Sequence, residues 1–314
     1  MNHESRAAAP VPLTVIGSIN QDSFTFVTEF PRAGETVLAT SASVGLGGKG
    51  CNQAVAAAKL GQDTRFIGAV GADAAGDAAL HAMSAFGVTT DLIRRLDGTG
   101  TGAAYIAVNA DGENTIIVHS GANAAFGTAD AAGALAGVTD GVLLIQGELS
   151  AEVNQAVATH AARNGLPLIA NAAPVAAVDD ETIAASSYLI VNETEAADLA
   201  ERAGLAPADD ASTLAGELRN HFSTTVLVTL GARGVAVATE GESWIEPAPR
   251  PDRVVDTTGA GDAFVGVFSA GICLGLGVRE AALRAVTAAS QAVTKAGIGE
   301  SYVTGPELDA LLGG

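Results

Sequence analysis

Six strand-length runs of mostly apolar residues recur along the chain, at 13–16, 65–70, 142–146, 167–170, 188–191 and 226–230, with alanine-rich helical stretches between them. A strand with one wet face alternates apolar and polar residues. A strand apolar on both faces needs cover on both, which βαβ crossovers supply. The pattern therefore predicts an α/β fold: a doubly wound, mostly parallel sheet with helices on both faces. At 314 residues and 48% hydrophobic composition the chain can bury the core this requires. Two regions break the rhythm. Residues 23–44 contain strand-like pieces at 24–27 and 36–39, and residues 101–119 read as a hairpin turning at Asp111-Gly112. Both look antiparallel, and together they predict a small β lid, about 21–46 and 100–120, over the carboxyl ends of the parallel strands, where such sheets bind ligands.

Several function classes are excluded at once. Sixteen basic against 35 acidic residues give a net charge of −19, the opposite of a nucleic-acid footprint. The longest uncharged stretch, 263–278, is shorter than the roughly 18 residues of a membrane span. It is interrupted by Gly266, Gly271, Gly275 and Gly277, and reads as a buried core helix. Residues 1–12 lack the apolar segment of a signal peptide and are expected to form a disordered tail ahead of a single domain, 13–314. Cys51 and Cys273 have neither disulfide-framework nor zinc spacing, so a reducing cytoplasm is expected, and Cys51 reads as a small buried hydrophobe. The five histidines show no ligand spacing.

Chemistry concentrates in glycine-rich and strand-end segments. Gly45-Leu46-Gly47-Gly48-Lys49-Gly50-Cys51-Asn52 precedes a helix that ends at Gly61. It contains GxGxxG, but a dinucleotide site would need a parallel strand before it, and a Walker loop would need Ser or Thr where Gly50 stands. A turn that only caps a helix is the third reading. Asp256-Thr257-Thr258-Gly259-Ala260-Gly261-Asp262 leads into the 263–278 helix, and consecutive N–H groups at a helix start form an anion hole. There Asp262 is either an N-terminal acidic residue favoured by the helix dipole or a catalytic base. Asn192-Glu193-Thr194-Glu195 reads as a capping box, with Glu195 three residues after the Asn192 cap. Thr229-Leu230-Gly231-Ala232-Arg233-Gly234 reads as a tight turn between strands. Gln146-Gly147-Glu148 and Asn171-Ala172-Ala173-Pro174 end strands with polar groups.

Taken together and in order, these segments and Ser18-Ile19-Asn20-Gln21-Asp22 resemble the ribokinase family of carbohydrate kinases, over essentially the whole chain from about Leu13 onward. The resemblance implies that family's lidded α/β fold, often dimeric through the lid, and an ATP-dependent kinase. In its ribose-phosphorylating members the 5-hydroxyl of D-ribose is the acceptor. Asp262 matches the base that takes the hydroxyl proton, and Gly259, Ala260 and Gly261 match the anion hole. Asn192 and Glu195 match the residues that hold Mg²⁺ largely through water. Thr229 and Gly231 match the nucleotide-binding turn, with Asn192 and Gly261 beside the nucleotide. Asp256, Thr258, Gly297 and Ser301 match a monovalent cation site, usually for K⁺. Asn20, Asp22, Gly48, Lys49, Asn52 and Glu148, with Asp262, match the ribose-binding positions. Such a set suits a polyol, whose hydroxyls each donate and accept. Asn171-Ala172-Ala173-Pro174 has alanine where a proline is frequent in the family. Another unphosphorylated sugar or a nucleoside is the alternative substrate, although one Trp and three Tyr offer few stacking surfaces. A sensor that keeps the fold without catalysis, and a dinucleotide oxidoreductase, are the readings from other classes.

Overall fold

The computed structural model describes residues 9–208 and 210–313. Residues 1–8 of the expected tail lie outside them; beyond, Val11 already donates its N–H to the Cys273 carbonyl at 3.0 Å. The main sheet runs in the order β14 (Ser243–Glu246), β13 (Val235–Ala238), β12 (Thr225–Thr229), β11 (Tyr188–Asn192), β10 (Leu168–Asn171), β9 (Val142–Gln146), β1 (Leu13–Ile16), β4 (Thr64–Gly71) and β5 (Val88–Thr89), with β6 (Ile93–Leu96) also on β4. Pairing is parallel from β12 through to β5 and antiparallel at the β12–β13–β14 edge.

Alternate residues of the same strands enter different cores, as runs apolar on both faces demand. Leu144, Ile169, Ile190 and Leu227 face α1 (Lys49–Lys59), α2 (Ala74–Ala85), α9 (Ala260–Cys273), α10 (Val278–Ala292) and α11 (Gly305–Leu311). Leu143, Ile145, Leu168, Leu189 and Val228 face the other layer, α3 (Ala122–Ala125), α4 (Thr128–Leu135), α5 (Ala151–Asn164), α6 (Asp180–Ala185), α7 (Glu193–Arg202) and α8 (Ala211–Phe222). Phe268 on α9 is fully buried and packs edge-on against Tyr188 at 5.4 Å, a burial worth about 3 kcal/mol.

The second sheet has the order β3 (Ser41–Gly47), β2 (Asn20–Phe26), β7 (Gly102–Val108), β8 (Asn114–His119). It departs from expectation twice. Its two hairpins are antiparallel, but β2 and β7 join them in parallel. The strand facing β2 is Ser41–Gly47, not 36–39. Phe26 pairs with Ser41, so 36–39 lies beyond the end of its partner, and Leu38 is 90% exposed. The expected 263–278 helix begins earlier, at Ala260, and stops at Cys273, where Gly275 (φ 75°) donates to Ile272 O and Leu276 to Gly271 O in a Schellman stop.

Candidate active site

Chain order reverses at β1, which has β4 on one side and β9 on the other, so a crevice opens beyond the carboxyl ends of these strands. Each strand delivers a polar group there: Ser18 and Asn20 after β1, Gln146 and Glu148 from β9, Asn171 from β10, Asn192 from β11 and Thr229 from β12. Two helices complete the floor. Helix α1 starts at Lys49, capped by Gly48 at φ 89°, so Lys49 and Asn52 sit on its first turn rather than in the preceding loop. Helix α9 starts after Gly259, at φ 76°. The two helices pack so closely that a Cβ on Gly266 would lie 2.4 Å from the Gln53 carbonyl oxygen.

That approach assembles the centre of the site. The Asn52 side-chain amide donates to Asp262 Oδ2 at 2.9 Å, and the Gln53 amide donates to Asp262 Oδ1 at 2.9 Å. Burial pushes the Asp262 carboxyl up from its ordinary range, and nearby Lys49 together with the two amides pulls it back part of the way. The carboxylate is thus oriented on both oxygens and more basic than an exposed aspartate. Along the first turn of α9, N–H groups lack helical acceptors by geometry. Ala260 N–H turns back to the Thr257 carbonyl at 3.3 Å, whereas Gly259 and Gly261 line the cavity.

Beside Asp262 lies the expected sugar set. Glu148 Oε2 accepts from Ser18 Oγ and from the Lys49 backbone N–H. The Asn20 side-chain oxygen accepts from Asn123 Nδ2 at 2.8 Å, and Asn123 is itself fixed by the Ile19 backbone. Asp22 reaches in from β2 over Gly47, where a Cβ would collide with its carboxylate at 2.2 Å. Burial, then Glu148 and Asp262, push Asp22 up to about 6. Asp22 Oδ1 and Asn52 Oδ1 are buried without a hydrogen-bond partner, acceptors aimed at a donor the protein does not supply. Burial alone would lower the Lys49 pKa, but Asp262, Glu148 and Glu195 outweigh it and raise it, so the ammonium stays charged.

A cavity of ≈ 150 Å³ continues from Lys49 and Asp262 past Gly261 to Asn192, Glu195 and Thr229. Asn192 and Glu195 form the expected capping box: the Asn192 side chain accepts from Glu195 N–H and the Glu195 side chain from Asn192 N–H, both at 2.8 Å. Burial raises the Glu195 carboxyl. No group of three His, Cys, Asp or Glu side chains gathers around a metal position among the described residues. A divalent ion would therefore meet Asn192 and Glu195 chiefly through water, which fits an ion carried by phosphates. Gly231 (φ 57°) opens the turn after β12 and lies outside the cavity wall. At the remaining position, Asp256 Oδ1 accepts from Thr258 N–H, Ser301 N–H bonds the Gly297 carbonyl, and the buried Ser301 Oγ has no partner. The orphaned hydroxyl suits an oxygen-coordinated monovalent cation. Tyr302, buried beside it, donates its hydroxyl to the Gly259 carbonyl at 3.1 Å, tying this loop to the start of α9.

Gln53, Asn123 and Tyr302 had no role in the sequence reading, and Gln146 and Asn171 appeared there only as strand-end polar groups. Each acts through a partner 43 to 209 residues away, which spacing along the chain does not encode. The one available signal was their polarity amid strand-end or helix-face residues that are otherwise apolar.

The chain is similar to known proteins over nearly its whole length. The chain is 36% identical to a ribokinase of Bacillus subtilis over 302 residues, covering 96% of this chain and 99% of that one. It is 32% identical to a deoxyribokinase of Salmonella typhimurium over 295 residues, covering 92% and 95%. Its fold matches that of Arabidopsis thaliana ribokinase complexed with ribose and ATP, with a TM-score of 0.87, 30% identity and coverage of 98% and 100%. The model of the pfkB family of carbohydrate kinases matches residues 12–304, a span that includes both glycine-rich segments, the oriented Asp262 and the lid, and the chain belongs to that family.

Proposed function

We propose that the protein transfers the γ-phosphoryl group of ATP to the 5-hydroxyl of D-ribose. The observation that carries this is Asp262: a carboxylate gripped on both oxygens, at the start of α9, between polar side chains with unmatched acceptors and the phosphate-sized cavity. Asp262 takes the proton of the attacking hydroxyl. The N–H groups of Gly259 and Gly261, with the helix dipole, stabilise charge on the phosphoryl oxygens in flight. Asp22, Asn52 and Glu148 accept from sugar hydroxyls, while Asn20 Nδ2 and Lys49 Nζ donate; the bond from Asn123 to Asn20 Oδ1 fixes which end of the Asn20 amide carries its donors. Thr229 and Gly231 border the nucleotide. Asn192 and Glu195 would hold Mg²⁺ through water, and Asp256, Thr258, Gly297 and Ser301 would hold K⁺; these ions supply the positive charge that neutralises phosphate. The ribose and ATP named in the Arabidopsis thaliana complex support this choice of substrates.

The same reading makes the enzyme a homodimer through its lid. Val44, Tyr105 and Ile117 fall in one cross-strand row, each more than half exposed, a surface that a second copy would cover. Cys51 and Cys273 are both unpaired and buried, in keeping with a cytoplasmic enzyme. No helix among the described residues is long and apolar enough to cross a membrane. The deciding experiment is a coupled assay at fixed Mg-ATP with ribose, 2-deoxyribose, other pentoses and hexoses, and nucleosides. The expected result is the highest kcat/KM on ribose. A tenfold preference for 2-deoxyribose or a nucleoside would replace the substrate, and NAD-linked turnover without phosphorylation would overturn the reaction class.

A further inference from the structure

Beneath the catalytic carboxylate lies a run of side-chain amides. Gln146, at the end of β9, donates from Nε2 to Gln53 Oε1 at 2.9 Å. Gln53, on α1, donates from Nε2 both to Asp262 Oδ1 and to Asn171 Oδ1, each at 2.9 Å. Asn171, at the end of β10, donates from Nδ2 to the Ile190 carbonyl of β11 at 2.9 Å. Gln53 and Gln146 are 0% and 1% exposed and Asn171 is 7% exposed, so water offers them little alternative. The direction of the chain is set by its ends. The Ile190 carbonyl can only accept, which fixes Asn171, and Asp262 as a carboxylate can only accept, which fixes Gln53. Turning the Gln53 amide over would set its oxygen against two acceptors and strand Gln146.

We propose that Gln53 is the positioning residue of the base: through it the ends of β9, β10 and β11 fix the direction of the Asp262 carboxylate and favour its charged form. Asn52 grips the other oxygen but also faces the sugar set, whereas Gln53 meets the substrate positions only through Asp262. Removing Gln53 should therefore change the chemistry of Asp262 and leave sugar and nucleotide affinity alone. The inference rests on Asp262 being the base, as in the proposed function. The titratable groups around Asp262 are Lys49 and Cys51 on α1, Glu148 after β9, Glu195 on α7, Asp22 on β2 and Tyr302 after α10. None of them is altered by substituting Gln53.

Two nearly isosteric variants test it, measured on whichever sugar the parent phosphorylates best. Gln53→Met deletes both donors, and Gln53→Glu replaces them with an acceptor against Asp262. A carboxylate that loses a charge-assisted donor holds its proton more tightly, so the acid limb of the kcat–pH profile should move upward by about one pH unit in Gln53→Met and further in Gln53→Glu. At pH 7 kcat should fall about 10- to 100-fold, with both KM values within threefold of the parent. The carboxyl ¹³C titration of Asp262, assigned with Asp262→Asn, reads the same shift without turnover. Either folded variant with a parental kcat, acid limb and ¹³C titration overturns the role of Gln53. A parent inactive on every sugar would overturn the proposed function instead, and the ¹³C titration would still decide the amide chain.

Discussion

Gly266 lies on the inner face of α9, one turn beyond Asp262, and substituting it tests whether the α1–α9 contact positions the base. A Cβ there would sit 2.4 Å from the Gln53 carbonyl oxygen and 2.7 Å from Ala56 Cβ. The first obstacle is backbone, so no rotamer change relieves it. Ordinary contact begins near 3.4 Å, and Gly266→Ala must therefore part the helices by about 1 Å. The Asn52 and Gln53 bonds to Asp262, 2.9 Å each, bridge the same two helices. Lengthened by that amount they reach about 3.9 Å and are no longer hydrogen bonds. Overpacking of this kind costs about 1–3 kcal/mol of stability, and a 1 Å displacement of a catalytic group can cost about 100-fold in rate.

Thermal unfolding and steady-state kinetics on the same preparation separate the two effects. Gly266→Ala should stay folded at 25 °C with a Tm lower by several degrees, a kcat reduced about 100-fold and a nucleotide KM near that of the parent. Gly133→Ala on α4 is the control, because its Cβ would meet nothing within 4 Å. It should stabilise by about 0.5–1 kcal/mol and leave kcat unchanged. Should Gly266→Ala keep a parental Tm and a kcat within threefold, the helix contact does not set the geometry of Asp262.

Four further outcomes follow from the site. Asp262→Asn should lower kcat about 10³- to 10⁴-fold while ATP binding by calorimetry stays intact; turnover near normal would remove Asp262 as base. Because Asp22 is pushed up to about 6, the sugar KM should rise as pH falls through 6, and Asp22→Asn should flatten that rise. The same group works in the opposite sense on folding. Its native pKa lies above the unfolded 3.8, so its contribution to stability is full below about pH 4 and lost as pH rises through 6. The Tm should therefore not fall over the interval in which KM worsens through Asp22. Activity should be greater in K⁺ than in Na⁺, and Ser301→Ala should bring that ratio toward one; a parent indifferent to monovalent ions would contradict the cation site. Ile117→Glu on the lid should turn a dimer into a monomer in light scattering, and a parent that is monomeric at micromolar concentration would refute the lid interface.

The main sheet was legible because its strands are buried on both faces, a requirement written into most residues of 13–16, 142–146 and 226–230. The Asn192–Glu195 cap and the place of Asp262 in a first helical turn were legible for a similar reason, since both are local. The lid strand Ser41–Gly47 was not. Its sequence, SASVGLG, has little strand propensity, and it is a strand because β2 offers it seven partners and because Gly47 leaves room for the Asp22 carboxylate. Nor was the parallel β2–β7 junction, for a hairpin signal describes each pair and says nothing of how two pairs meet. The amide chain escaped for a third reason: a buried glutamine on an alanine-rich helix is unremarkable until Asp262, 209 residues away, is beside it.

The charge of −19 constrains the mechanism more than the fold. Asp22, Glu148, Glu195 and Asp262 gather about one lysine, and Lys49 neutralises at most one of them. A nucleotide bringing its own negative phosphates enters a region already negative, and among the described residues no second basic side chain lines the cavity. Backbone N–H groups and a helix terminus contribute only fractional positive charge, about half a unit for the helix. On the proposed reaction Mg²⁺ with the nucleotide would meet this deficit, and a monovalent ion would be held near the buried Ser301 hydroxyl that has no partner. Cation dependence follows from the composition of the site: adding lysine charge at the rim would weaken it, and removing Lys49 would deepen it.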